Sequence, residues 1–166
     1  PARLEFMDEV AIRAVQAARE RGLAGVGAVL LVEFDGEEQT VRADVEVGRE
    51  VMERMGARMV KVAETAAEEA AMWEPRGAIT SSLARLKPGK IGEDICVPRT
   101  KLPEVVEAIT NLSRETGLEI ALFGHAGDGT LHPNIVFDPA DEGEVAKVKE
   151  VMAGIARIGI EAGGHH

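Results

Sequence analysis

Tyrosine is absent from this sequence, tryptophan occurs once and phenylalanine four times, so aromatic residues make up only 3% of the chain. A core of stacked rings is excluded, and any core has to be assembled from Val, Ile, Leu, Ala and Met. The single cysteine, Cys96, excludes an intramolecular disulfide and fits a reducing cytosol. No apolar run approaches the roughly 20 residues of a membrane-spanning helix. Residues 1–18 are amphipathic and charged, without the apolar stretch of a signal peptide, so a cytoplasmic location is expected. The net charge of −10 repels phosphate backbones, and nucleic acid is not an expected partner. The same field disfavours small anions, so an anionic ligand needs Arg or Lys residues placed against it.

Against these absences stand 166 residues with 45% apolar content, enough for one core and the length of one ordinary domain. Leu4, Met7, Ala11, Ala14 and Ala18 recur at helical spacing up to Gly22 and predict a helix. The apolar run 27–34 (GAVLLVEF) predicts a buried strand ended by Asp35-Gly36. A helix with an acidic face is expected over 40–55, a short strand over 58–62, and an Ala- and Glu-rich helix over 64–73. Pro75 is expected to break or restart that helix before 76–86. Residues 87–90 read as a loop and 95–97 as a strand. Leu102, Val105, Val106, Ile109 and Leu112 form the stripe of a helix that opens with Pro103 and is capped by Gly117. Strands are expected over 119–123 and 130–137, and Asp138-Pro139 reads as the start of a last helix carrying Val145, Val148, Met152 and Ile155.

The last two strands, joined by a short Gly-rich turn, must pair antiparallel, whereas their neighbours are joined through helices. The expected fold is α+β: a mixed, largely antiparallel sheet with helices mainly on one face, built from ferredoxin-like β-α-β pieces. A doubly wound dinucleotide fold is disfavoured, because Gly25 and Gly27 precede the first strand and no Gly-rich turn follows it.

The segment 123–134 (FGHAGDGTLHPN) concentrates the chemistry. Side chains alternate along a strand, so His132, Asn134 and Val136 share one face while Leu131, Ile135 and Phe137 share the apolar other. The turn brings His125 back toward His132. Neutral imidazole is a common ligand of borderline divalent metals. Two histidines supply at most half of a four-ligand set, and spacing alone identifies no third. Two blander readings stay open: a hairpin whose histidines cap carbonyls, and a backbone nest for an anion. Asp128 reads as bonding its own backbone, Cys96 as a small buried hydrophobe, Trp73 as core or interface, and Lys90 as a surface lysine.

Several stretches together resemble a known family. Residues 1–7 (PARLEFM), 30–36 (LLVEFDG), Trp73-Glu74-Pro75-Arg76, 93–98 (EDICVP) and the Gly124–His132 motif resemble, in order, segments of FAD-linked oxidases of the vanillyl-alcohol-oxidase type. The glycolate oxidase D subunit, D-lactate dehydrogenase and D-2-hydroxyglutarate dehydrogenase are members. One departure lies inside the motif, where Thr130 stands in place of the family's usual Asn.

The resemblance implies that residues 1–164 are the substrate- and metal-binding cap domain of an FAD-dependent oxidoreductase acting on D-2-hydroxy acids of the glycolate or D-lactate type. The flavin would be bound mainly by a further domain on the N-terminal side of the parent chain. The cap alone is expected to be inactive. A divalent metal, with zinc as the first expectation, would be held by His125 and His132. Its third ligand, a Glu in a later Gly-Glu-His-Gly motif, is expected beyond Gly163-Gly164. Arg76 is the candidate for the substrate carboxylate, which a guanidinium meets with two parallel hydrogen bonds, and Thr80 and Asn134 are candidate helpers. Implied partners are a 2-hydroxy acid, the flavin domain and further oxidase subunits, through which a membrane-peripheral location would arise. His165 and His166 are compatible with the start of a purification tag and carry no weight. The alternatives are a free-standing ferredoxin-like module that binds a metal or anion without catalysis, and an interaction subunit.

Overall fold

Leu4 and Phe6 alternate with Glu5 and Met7 along a strand, Arg3–Asp8 (β1), in the computed structural model, which describes residues 1–166. A helix is predicted there, and the structure has one only from Glu9 to Ala18 (α1), where Asp8 caps it by accepting from the Ala11 amide at 2.8 Å. The helical spacing of Leu4, Met7 and Ala11 spans the junction of a strand and a helix. The remaining elements are β2 (Ala28–Glu33), α2 (Glu38–Arg54), α3 (Ala66–Ser82), β3 (Gly89–Gly92), β4 (Ile95–Cys96), α4 (Leu102–Thr116), β5 (Glu119–His125), β6 (Thr130–Phe137) and α5 (Glu142–Glu161).

The strands form one six-stranded sheet in the order β2-β1-β5-β6-β3, with β4 continuing beside β6. Every pairing is antiparallel. Because β4 and β5 both run antiparallel to β6 from opposite sides, they are parallel to each other, and β4-α4-β5 is a split β-α-β unit of ferredoxin-like type. The α+β class is therefore as the sequence predicts. The helices, expected mainly on one face, divide between both. Ile120 and Leu122 of β5 point into a core shared with Val105 and Ile109 of α4 and Val148, Val151 and Ile155 of α5. Ala121 and Phe123, of opposite parity, point into a second core with Ile12 and Val15 of α1 and Ile79 of α3. α2 joins neither: it has no buried residue, and Met55 just past its end is 79% exposed.

Several boundaries differ from expectation for identifiable reasons. The apolar run at 27–34 forms β2, which is an edge strand rather than a buried one, and its Leu30 is 51% exposed. Residues 58–62 form no strand, and Met59 and Val62 are exposed. α3 runs through Pro75 without a break; the carbonyl that Pro75 leaves without a donor belongs to the exposed Ala71, within reach of water, while Pro75 and Ile79 are buried. Gly89-Lys90, expected in a loop, opens β3 against Phe137 and Val136. The cap of the last helix lies three residues beyond Asp138, because Asp141 takes it and accepts from Gly143 and Glu144. Pro103 and Gly117 bound α4 as predicted, Gly117 at φ 74°. No helix is long and apolar enough to cross a membrane.

Candidate active site

The α1/α3 face of the sheet is covered only in part. Beyond Phe123 and Val136 the strands continue past the end of the helical layer, and their side chains on that face line an open, polar concavity of about 580 Å³. The sheet register decides which side chains these are. β5 and β6 place Phe123 opposite His132 and His125 opposite Thr130. β1 places Glu5 opposite His125. On the other side Gly92 pairs with Asn134 and Ile95 with Leu131, so the same register carries Asp94 across from His132. The ladder is interrupted between β3 and β4 beside Pro133, which has no amide to give.

Glycine makes the close turn between β5 and β6. A Cβ on Gly124 would run into the carbonyl oxygen of Thr130, and one on Gly129, at φ 89°, into that of Val97. The amides of Gly127, Asp128 and Gly129 are all bonded internally, the first to Leu4 and the others to the His125 carbonyl. The Thr130 amide donates to Asp128 at 2.9 Å, and this hydrogen bond holds the Asp128 carboxyl below its usual range. Asp128 thus bonds its own backbone, as expected. These amides do not form a nest for an anion.

His125 and His132 are brought together, their ring centroids 5.1 Å apart with the planes nearly perpendicular. Each Nδ1 meets a carboxylate at 2.6 Å: Glu5 for His125 and Asp94 for His132. Neither Nε2 has a partner in the chain. Arg76 comes from α3. Its Nε donates to the other oxygen of Glu5 at 2.9 Å, and its guanidinium lies 4.9 Å from the Phe123 ring centroid. Its two Nη groups make no hydrogen bond within the chain. Thr80, one turn along α3, and Asn134 line the same concavity, and the Asn134 amide donates to the His132 carbonyl at 3.1 Å. All five residues singled out from the sequence therefore border one space.

The sequence reasoning missed others. Glu5 and Asp94, the histidines' carboxylate partners, were not among the candidates. Lys90 is a strand residue, in register with Val136 on the site's face, with its Nζ 3.0 Å from the Thr80 carbonyl. Glu93 also lines the concavity and meets His166 Nε2 at 2.6 Å, while His165 bridges to Cys96. Cys96 is half-buried. Trp73 is neither deep core nor free, since Arg3 stacks on its ring at 3.9 Å. No group of three or more His, Cys, Asp or Glu side chains is arranged to hold a metal ion.

Compared with known proteins, residues 1–166 match the family described as FAD linked oxidases, C-terminal domain. The chain belongs to that family. This FAD-linked oxidase domain is 38% identical to the glycolate oxidase subunit GlcD of Bacillus subtilis over 99% of its own length and 35% of the relative's. It is 36% identical to GlcD of Escherichia coli, covering 99% of this chain and 33% of that one. A D-lactate dehydrogenase of Anaerostipes hadrus is 31% identical, over 89% of this chain and 33% of the relative. The domain thus spans about a third of the length of these curated relatives. Among solved structures, 4-ethylphenol oxidase from Gulosibacter chungangensis superposes on 98% of this chain and 38% of its own with a TM-score of 0.60 at 12% identity, a likeness of fold.

Proposed function

We propose that this domain is the substrate- and metal-binding cap of an FAD-dependent oxidoreductase that acts on D-2-hydroxy acids of the glycolate or D-lactate class. The observation that carries the reading is the pair of carboxylate-imidazole contacts. A metal-ligating histidine characteristically donates its second ring N–H to a carboxylate or carbonyl, which fixes the tautomer and makes the free nitrogen a better ligand. Glu5 and Asp94 stand in that relation to His125 and His132. The two imidazoles fit a divalent ion as half of its ligands, and the others would come from outside this set of side chains.

When bound, the flavin supplies the hydride acceptor and the metal a Lewis acid that lowers the pKa of the substrate hydroxyl. The chain's own residues do the rest. His125 and His132 present two unpartnered Nε2 atoms at one end of the concavity. Arg76 offers its free Nη groups to the substrate carboxylate, with Thr80 and Asn134 beside it. The charge balance agrees with a cationic supplement. Arg76 is offset by Glu5, and Glu93 and Asp94 border the same space, so the side chains alone do not make it attractive to an anion.

The test is the flavin absorbance of the full-length protein containing this domain, followed anaerobically against a panel of D-2-hydroxy acids with and without a chelator. Bleaching by one acid, lost on chelation and in His132→Ala, is expected. Bleaching indifferent to chelator overturns the role given to the histidines. A protein without flavin overturns the enzyme reading and leaves the metal-binding module in its place.

A further inference from the structure

We infer that Glu5 is a positioning residue whose one carboxylate sets both the tautomer of His125 and the orientation of Arg76. This role rests on the functional reading above, in which the imidazole binds a cation and the guanidinium binds a carboxylate.

Glu5 is 8% exposed and, with Ser82, one of two buried polar residues in the chain. A carboxylate withdrawn from water is costly unless both its oxygens find donors. Here they are divided between two elements: Oε1 meets His125 Nδ1 at 2.6 Å, and Oε2 receives Arg76 Nε at 2.9 Å. An ionised carboxylate only accepts, so in the neutral imidazole of His125 it is Nδ1 that carries the proton and Nε2 that keeps the lone pair. The same anion grips Arg76 by Nε, side-on, and leaves the two Nη groups for a ligand. Phe123 supports the guanidinium from its face. One residue of β1 thus orients a group on β5 and a group on α3, the two halves of the proposed site.

Glu5→Gln keeps the shape and removes this double acceptance. The amide has one accepting oxygen and one donating nitrogen. With the oxygen toward Arg76, the NH2 faces His125, whose Nδ1 can then only accept, and the proton moves to Nε2. With the oxygen toward His125, the NH2 abuts the Arg76 Nε–H and the guanidinium is released. Glu5→Asp keeps the charge but is one methylene shorter and cannot span both partners.

The test uses the 166-residue chain without flavin. The 15N shifts of the His125 ring, assigned by loss of the signal in His125→Ala, report its tautomer. They are expected to show a protonated Nδ1 in the wild type and a shift toward protonated Nε2 in Glu5→Gln, with His132 unchanged because Asp94 holds it. Zinc affinity, taken as the difference from His132→Ala, is expected to fall roughly 10–100-fold in Glu5→Gln, the usual effect of losing such a partner. A folded Glu5→Gln in which the His125 shifts, the zinc affinity and the Arg76 Nε–H signal are all unchanged overturns the role, because either orientation of the amide must disturb one of the two partners. If Glu5→Gln does not fold, Glu5→Asp decides: the wild-type tautomer together with wild-type zinc affinity overturns the role, and loss of either supports it. If the wild-type chain, which carries only two of the ion's ligands, binds no zinc, the His125 tautomer shift alone decides the role of Glu5: its absence overturns the role and its presence supports it.

Discussion

Replacing Asp8 with asparagine separates the two things this side chain does. It caps α1 through the Ala11 amide, and it is a carboxyl held where β1 passes into the helix. Burial pushes its pKa up from 3.8 to about 7, against the lowering pull of amide hydrogen bonds from Ala11, Leu122 and Val10. The folded state therefore binds the proton more tightly than the unfolded chain. The stability that Asp8 contributes is fullest below about pH 4, falls as pH rises through the window from about 4 to about 7, and levels off above it. A shift of about three pKa units at 1.36 kcal/mol each corresponds to about 4 kcal/mol lost across that window. Asparagine caps as well as aspartate and carries no charge. Urea unfolding of wild type and Asp8→Asn from pH 4 to pH 8, followed by helical circular dichroism, measures the difference directly. Other carboxylates titrate alike in both proteins and cancel in that difference. The two are expected to be nearly equal at pH 4, with the variant more stable by up to about 4 kcal/mol at pH 8. A difference that stays flat with pH, or a variant less stable at pH 8, would refute the reasoning.

Three further outcomes follow from the packing and the site. Ile155→Ala removes a fully buried side chain of the α4/α5 core and is expected to cost about 2–5 kcal/mol in urea unfolding. Met55→Ser, at a side chain 79% exposed beside a helix with no buried residue, is expected to change stability by less than about 0.5 kcal/mol in the same assay. Arg76→Lys keeps the charge and loses the fork; under the proposed function, the 2-hydroxy acid concentration for half-maximal flavin bleaching in the full-length protein is expected to rise roughly tenfold or more.

The motif around the turn was legible because everything it needs is local. The alternation along β6 set His132 and Asn134 apart from Leu131 and Ile135, and a tight turn had to bring His125 near. The stripe of α4 and its Pro and Gly boundaries were legible for the same reason. The carboxylates were not. Glu5 reaches His125 across 120 positions of sequence and Asp94 reaches His132 across 38, and which strands become neighbours in a sheet is not written in either segment. Glu5 did leave one sign, a charged residue in the alternating run Leu4–Met7, on the face that Met7 also buries. That sign is missed when the run is assigned to a helix. Lys90 was hidden by the Pro88-Gly89 pair, which signals a turn although the strand starts at that glycine. The division of helices between two faces depends on sheet order, and no local period encodes that.

The meeting of β1 with β5 has a consequence for synthesis. Emerging from the ribosome, β1 can pair with β2 as soon as α1 has formed, but its other edge waits for more than a hundred residues until β5 exists. Contacts so distant form late, because the intervening loop must be closed first. The concavity therefore cannot exist in a partly made chain, and Glu5 remains without its histidine until the sheet is nearly whole. A ligand that occupies it selects the finished sheet over every shorter intermediate. At a hundredfold excess over its dissociation constant it would add about 2.7 kcal/mol to the stability of that state alone. Occupancy of the site would thus report, and reinforce, completion of the domain.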